Sequence, residues 1–309
     1  MSRIYEALQR AGLERKVALE SDGIEAGEPI AVPSTEDLPR PKASIVLDNI
    51  PLHAWSPSLP SFPTLADRGA CVEQFRRLRS RIYQLRYEAP LKTILVSSGT
   101  PGEGKSFVTA NLAVSLARNS VNNILLIDGD LRRPTLHSLL GAPSTPGLSE
   151  FLMGTAGLND IMQRDRNSDA SASDGARPTT NLTFIPAGKC GDSSSELAAN
   201  RRFEELIAAL SPHFDWILID SPPVLAVTDA VDLARAADGV MLVVREASTP
   251  FDVAQRAQAA FSNSRLLGFV LNAAKDAPRS GSYYYYYHYY GGQEPSEGPK
   301  GRKDKRGEG

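Results

Sequence analysis

The 309-residue sequence holds two cysteines, Cys71 and Cys190, which form neither a C-x-x-C pair nor part of a metal-ligand cluster. That scarcity excludes a disulfide framework and a cysteine-built zinc site, and it fits reduced thiols in a cytoplasmic chain. Long hydrophobic runs are also missing. Nothing approaches the roughly 18–20 apolar residues that span a bilayer. The polar start Met1-Ser2-Arg3-Ile4-Tyr5-Glu6 lacks the apolar stretch of a secretory signal, so Asn181-Leu182-Thr183 carries no meaning as a glycosylation site. Charge of one sign is not in excess: a formal net charge of −2 and a pI near 6.1 give no whole-chain drive toward nucleic acid or membrane. What remains, 41% hydrophobic and 23% charged residues, is the composition of a soluble globular protein with room for one large α/β domain plus extensions.

The strongest local signal is SSGTPGEGKS at 97–106. Thr93-Ile94-Leu95-Val96 before it reads as a short buried strand. Residues 107–117 after it, with Val108, Leu112, Val114 and Leu116 among alanines, read as a packed helix. Gly99 to Ser106 therefore fits G-x-x-x-x-G-K-[ST] in the strand–loop–helix setting that the pattern requires. Gly102 and Gly104 allow main-chain N–H groups to converge on phosphate oxygens, and the helix N-terminus adds a favourable dipole. The spacing assigns Gly99, Thr100, Pro101, Gly102, Glu103, Gly104, Lys105, Ser106 and Phe107 to a nucleoside triphosphate. Lys105 is expected on the β/γ-phosphates and the Ser106 hydroxyl on Mg²⁺.

Two further apolar runs end in acid. Asn123-Ile124-Leu125-Leu126-Ile127 leads into Asp128-Gly129-Asp130-Leu131-Arg132-Arg133, and Trp216-Ile217-Leu218-Ile219 leads into Asp220-Ser221-Pro222-Pro223. Continuous apolar runs suit strands of a parallel sheet buried on both faces, and acids at their C-terminal edges lie where such sheets bind ligands. Asp128 and Asp130 are candidates to coordinate a metal or accept a proton, and Asp220 has the Walker-B pattern of a Mg²⁺-binding or water-orienting acid. Residues 181–187, 239–244 and 268–272 supply further strands, and 195–210 and 252–261 further helices. The alternation predicts an α/β fold with a mostly parallel sheet covered by helices on both faces.

Around this core the sequence divides. Residues 1–16 place Ile4, Tyr5, Leu8 and Ala11 at helical spacing, giving a short amphipathic helix. Residues 17–69, with eight prolines between 29 and 63, read as a flexible linker. A folded domain is expected over 70–280, opening on a helix whose stripe is Val72, Phe75, Leu78, Ile82 and Leu85. Beside that stripe Glu73, Arg76 and Arg79 recur every three residues, as a solvated face or as half of an inter-subunit ion-pair set. The polar stretch 164–180 reads as an exposed loop. In the tail, 281–309, seven of the ten tyrosines stand within eight positions: Tyr283, Tyr284, Tyr285, Tyr286, Tyr287, Tyr289 and Tyr290. A core strand of seven phenols would need many hydrogen-bond partners. A mobile, disordered segment presenting hydroxyls to an active site fits better than a strand or a platform for nucleic acid.

GTPGEGKS, ILLIDGDLRR, ILIDSPP, the E-x-x-R-x-x-R helix and the tyrosine cluster together resemble the bacterial tyrosine kinases (BY-kinases) of polysaccharide synthesis and export, over about residues 70–290. The resemblance implies a P-loop NTPase fold of the kind seen in MinD and ParA, and a tyrosine autokinase using ATP and Mg²⁺. It implies Lys105, Asp128, Asp130 and Asp220 as catalytic residues, with Ser106 and the three aspartates around the metal; the proton acceptor stays open between Asp128 and Asp130. The cluster tyrosines would be phosphorylated in trans within a homo-oligomeric ring, with Glu73, Arg76 and Arg79 at the subunit contacts. It further implies a cytoplasmic kinase recruited to the inner face of the plasma membrane by a chain-length-determining co-polymerase that activates it, and exopolysaccharide or capsule production as the process controlled; nucleic acid is not an expected partner. The competing class is a MinD/ParA-like ATPase switch. Such proteins usually carry an extra lysine at the position of Thr100, and they have no use for a tyrosine tail.

Overall fold

A computed structural model of the chain describes residues 49–66, 68–118, 121–166, 181–189 and 201–274. The expected helix at 1–16, most of the linker, the stretch 195–200 and the tyrosine tail lie outside the described residues. In chain order the elements are β1 (Leu52–His53), α1 (Ala70–Glu88), β2 (Thr93–Ser98), α2 (Lys105–Ala117), β3 (Ile124–Asp128), α3 (Leu136–Leu140), α4 (Leu148–Met153) and α5 (Leu158–Ile161). There follow β4 (Gln163–Asp165), β5 (Leu182–Ile185), α6 (Arg201–Leu210), β6 (Trp216–Asp220), α7 (Asp229–Ala234), β7 (Gly239–Arg245), α8 (Phe251–Ala260) and β8 (Leu266–Asn272).

The strands form one sheet of eight in the order β1-β4-β5-β3-β6-β2-β7-β8. Neighbours are parallel except β4 and β5. Each central strand alternates its side chains between two cores. Leu125, Ile127, Ile217, Ile219 and Leu242 face α4, α6, α7 and α8. Ile124, Leu126, Leu218, Met241 and Val243 face α1 and α2. Both faces are thus dry, which is why these strands read as unbroken apolar runs rather than alternating ones.

α2 is the most enclosed helix, with every residue from Val108 to Ala117 buried. The sheet covers one side, and α1 covers another through Phe75 and Ile82. The remaining wall comes from the segment ahead of α1. Phe62 and Leu65 are buried there. Asn111, at the middle of α2, accepts the Thr64 hydroxyl at 2.8 Å and donates to the Ser61 carbonyl at 2.9 Å.

The expectation of a linker reaching residue 69 therefore fails over 49–66. Pro60 and Pro63 stand in the first two positions of short 3₁₀ turns instead of keeping the chain in solvent, and the buried Trp55, Phe62 and Leu65 hold it to the body. Trp55 lies edge-on to Phe184 with ring centroids 6.1 Å apart, and its indole N–H reaches Gln163 Oε1 at 3.2 Å. The exposed loop expected from residue 164 also begins too early, because Gln163–Asp165 forms β4, antiparallel to β5. Three residues carry too little periodicity to be recognised as a strand. A linker tryptophan would tolerate truncation to within about 0.5 kcal/mol. Trp55→Ala is instead expected to destabilise the chain by about 3–5 kcal/mol, measured by urea unfolding followed by circular dichroism.

Candidate active site

β2, β6 and β3 lie side by side, and their register aligns what they carry. Val96 pairs with Asp220 and Asp128 pairs with Asp220, so the loop after β2 and both acids emerge at one edge of the sheet. Gly129 fits against β6: its N–H donates to the Asp220 carbonyl at 2.8 Å, where a Cβ would strike that oxygen.

The loop between β2 and α2 has the geometry that its glycines predict. Gly102 and Gly104 have φ of +83° and +91°, a region that L side chains rarely adopt. Gly99 packs against Val253 and Ala257 of α8, and a Cβ on Gly104 would overlap the Asn272 amide. α2 begins at Lys105, so its free N–H groups and positive dipole end face the loop. This is a phosphate cradle by construction.

Lys105 and the three aspartates come together. Lys105 Nζ stands 3.0 Å from Asp130 Oδ2 and is largely buried. Asp128 spends its oxygens on the main chain: Oδ2 accepts the N–H groups of Thr135 and Leu136 at 3.2 and 3.1 Å, and Oδ1 that of Asp130 at 3.3 Å. It thereby folds the 129–135 loop around itself. Asp130 Oδ1 accepts the Arg133 N–H at 3.0 Å. Asp220 Oδ1 accepts the Thr109 hydroxyl at 3.3 Å, while Oδ2 is buried with no partner.

Burial pushes the Asp128 carboxyl well above the ordinary range, and the neighbouring Asp220 adds to it. Burial likewise raises Asp220, to about 6, against the opposing pull of Lys105 and of the nearby Ser106 and Thr109 hydroxyls. Burial tends to lower the Lys105 pKa, but Asp220 and Asp130 outweigh it and hold the ammonium charged. The orphaned Asp220 oxygen beside Ser106 fits the chemistry of Mg²⁺, since that ion uses one or two protein oxygens and fills its shell with water and phosphate. Among the described residues no group of three or more His, Cys, Asp or Glu encloses a metal on its own.

Other predicted residues behave differently. Glu73 and Arg76 pair with each other on the half-exposed face of α1. Arg79 turns inward and donates to the Ser115 carbonyl at 2.6 Å, tying α1 to α2. The tyrosine cluster falls outside the described residues. Residues with no sequence signal also reach the site: Thr109, which bonds Asp220, and Arg245, Thr249 and Asn272, which touch the loop from the C-terminal third.

The Asp220 shift sets a pH dependence. Its folded pKa, about 6, exceeds the ordinary ~3.9 of an unfolded Asp. The folded state binds that proton more tightly, so this contribution to stability is complete below pH ~4 and is lost as pH rises through about 6. Asp220→Asn is therefore expected to stabilise the nucleotide-free protein by about 2–3 kcal/mol at pH 7.5. The difference should shrink toward zero near pH 4, as read from urea unfolding at both pH values.

Comparisons with known proteins agree with this geometry. A family model described as an AAA domain matches residues 91–251. Tyrosine-protein kinase YwqD of Bacillus subtilis is 32% identical over 205 residues, 66% of this chain and 81% of that protein. The putative tyrosine-protein kinase AmsA of Erwinia amylovora is 36% identical over 206 residues, 65% of this chain but only 26% of that longer protein. Among solved structures, the chimerical protein CapA2B2 superposes with a TM-score of 0.63 at 27% identity, covering 74% of this chain and 96% of that one. The kinase domain of Escherichia coli tyrosine kinase ETK superposes at 0.58 and 28%, covering 71% and 84%. MinD from Pyrococcus horikoshii, complexed with Mg-ADP, follows at 0.50 and 26%, covering 64% and 76%. With its nucleotide loop and its two acid-tipped strands at one sheet edge, the chain belongs to the bacterial tyrosine kinases, P-loop enzymes that phosphorylate protein tyrosine.

Proposed function

We propose that this kinase uses Mg·ATP to phosphorylate the tyrosines at 283–290 of a neighbouring copy, within a homo-oligomeric ring. The observation that carries the reading is the convergence of Lys105, Asp128, Asp130 and the half-unsatisfied Asp220 on the mouth of the phosphate cradle. Phosphoryl transfer asks chiefly for positioning and charge neutralisation, and these groups supply both. The loop N–H groups and the α2 N-terminus hold the β- and γ-phosphates. Lys105 moves from Asp130 to the phosphates, where its charge offsets the negative charge of the transfer. Ser106 and Asp220 would hold Mg²⁺, which neutralises phosphate charge when bound. The phenol oxygen attacks the γ-phosphorus, the bond to ADP breaks, and the Asp128–Asp130 pair takes the phenol proton.

β8 runs parallel to β7 and ends at Asn272, whose side chain touches the loop, so the last described strand finishes at the active edge of the sheet. Ten residues lie between Asn272 and Tyr283 in sequence, a contour of at most about 40 Å. Such a tether raises the effective concentration of the phenols at a neighbour's site. The half-exposed Glu73–Arg76 pair supports α1 as the subunit contact, with Arg79 on the same helix three residues on. No helix among the described residues is long and apolar enough to cross a membrane. We assign membrane recruitment and activation to a chain-length-determining co-polymerase partner, and polysaccharide production to the process controlled.

Two chains distinguish the routes. Lys105→Met provides a tail without a working site, and a form with all cluster tyrosines changed to Phe provides a site without a tail. Mixed with Mg·ATP, they are expected to yield phosphotyrosine at 283–290 of the Lys105→Met chain, read by mass spectrometry. Signal only in the unmixed wild type would overturn transfer in trans, and ATP turnover with no phosphotyrosine anywhere would favour the ATPase switch. Arg76→Ala is expected to reduce the assembled fraction several-fold by light scattering, with the fold unchanged by circular dichroism.

A further inference from the structure

The phosphate-binding loop is held from outside by residues that belong to none of the nucleotide-binding stretches. Glu103 lies within the loop and is only 3% exposed, an unusual place for a carboxylate beside an anion site. Its two oxygens point in different directions. Oε2 accepts the Thr100 N–H at 2.8 Å, bracing the loop across its own width. Oε1 accepts the hydroxyl of Thr249, in the turn between β7 and α8. That hydroxyl in turn accepts the Arg245 N–H at 2.9 Å, so its proton is directed at Glu103.

Two further bonds connect the same elements. The Arg245 guanidinium donates to the Gly102 carbonyl at 3.0 Å, and the Asn272 amide donates to the Glu103 carbonyl at 2.9 Å. Three consecutive loop residues that must face phosphate, Gly102 to Gly104, are thereby referenced to the ends of β7 and β8. The turn that carries the latch is itself rigid: Thr249 N–H and Ser248 N–H both return to the Arg245 carbonyl, at 3.0 and 3.2 Å.

We propose that Thr249, acting through Glu103, is a positioning residue that preorganises the phosphate loop for nucleotide. A free loop with two glycines in left-handed conformations would lose considerable chain entropy on closing around phosphate. A loop already latched avoids that loss, and the difference appears as affinity. The buried carboxylate is the suitable pivot because hydrogen bonds to an ionised acceptor are the stronger kind. Arg245 contacts the loop backbone through its guanidinium and Asn272 packs over Gly104, whereas the Thr249 side chain reaches the loop through Glu103 and otherwise accepts only the Arg245 N–H of its own turn.

The inference rests on the kinase reading only for the use of nucleotide, and binding can be measured without the transfer step. The experiment compares wild type with Thr249→Val, Thr249→Ser and Glu103→Gln in the full chain. Equilibrium binding of a fluorescent ADP with Mg²⁺ is measured, alongside KM for ATP and kcat for ATP turnover. Thr249→Val keeps the shape and removes the hydroxyl; it is expected to weaken ADP binding and raise KM for ATP about tenfold, equivalent to about 1.4 kcal/mol, with kcat within twofold. Thr249→Ser is expected to restore binding to within twofold. Binding by Thr249→Val within twofold of wild type would overturn the proposal, and so would equal weakening by Val and Ser, which would assign the effect to side-chain packing. Should Thr249→Val fold poorly by circular dichroism, Glu103→Gln decides. Its neutral amide cannot accept at both ends, so weaker binding supports the latch and unchanged binding removes it. Phosphotyrosine failing to form in wild type while these binding differences persist would count against the kinase reading and leave the latch standing.

Discussion

Everything at the active edge depends on keeping three buried carboxylates beside a single ammonium. Asp128 and Asp220 are fully enclosed and Asp130 nearly so, and together they exceed the charge that Lys105 can offset. An arrangement of this kind costs stability, because burial in a low-dielectric interior penalises each charge beyond what pairing returns. The protein limits the cost in two ways. Asp128 is saturated by three main-chain N–H donors, which makes it the hub of the 129–135 loop. Asp220 is left half-satisfied, with one oxygen on Thr109 and the other buried alone. The residual imbalance is a preference for an added positive charge.

Sheet register makes that cluster possible. A shift of one residue between β3 and β6 would turn Asp128 or Asp220 to the opposite face. Continuous apolar packing on both faces fixes the register, and the close fit of Gly129 on the Asp220 carbonyl leaves no room for a slipped alternative. Stability and chemistry are thus specified by the same alternation of side chains.

The central architecture was legible because its signals are local. The strand–glycine loop–helix sequence around Lys105 and the acids that end β3 and β6 are read from contiguous residues, and each stands where its pattern placed it. The failures share a different cause. Residues 49–66 look like linker because proline spacing is local, whereas the burial of Trp55 and Phe62 depends on partners about 50 to 130 positions away. The bond from Arg79 to the Ser115 carbonyl of α2 is likewise something no periodicity reveals. Thr249 and Asn272 are ordinary residues until the β7 and β8 ends are known to lie beside the loop.

Asn111 bears on where the folded unit begins. It sits at the centre of the helix that starts with Lys105, and both ends of its amide are spent on Ser61 and Thr64. A fragment starting at the first long helix would take the Ser61 and Thr64 partners away from that amide and bare to water the apolar wall beneath Phe62 and Leu65. The catalytic body is therefore not a module excisable at residue 70. Its outer wall is contributed by chain that precedes every recognisable motif, and a boundary drawn from motifs alone would divide a continuous core.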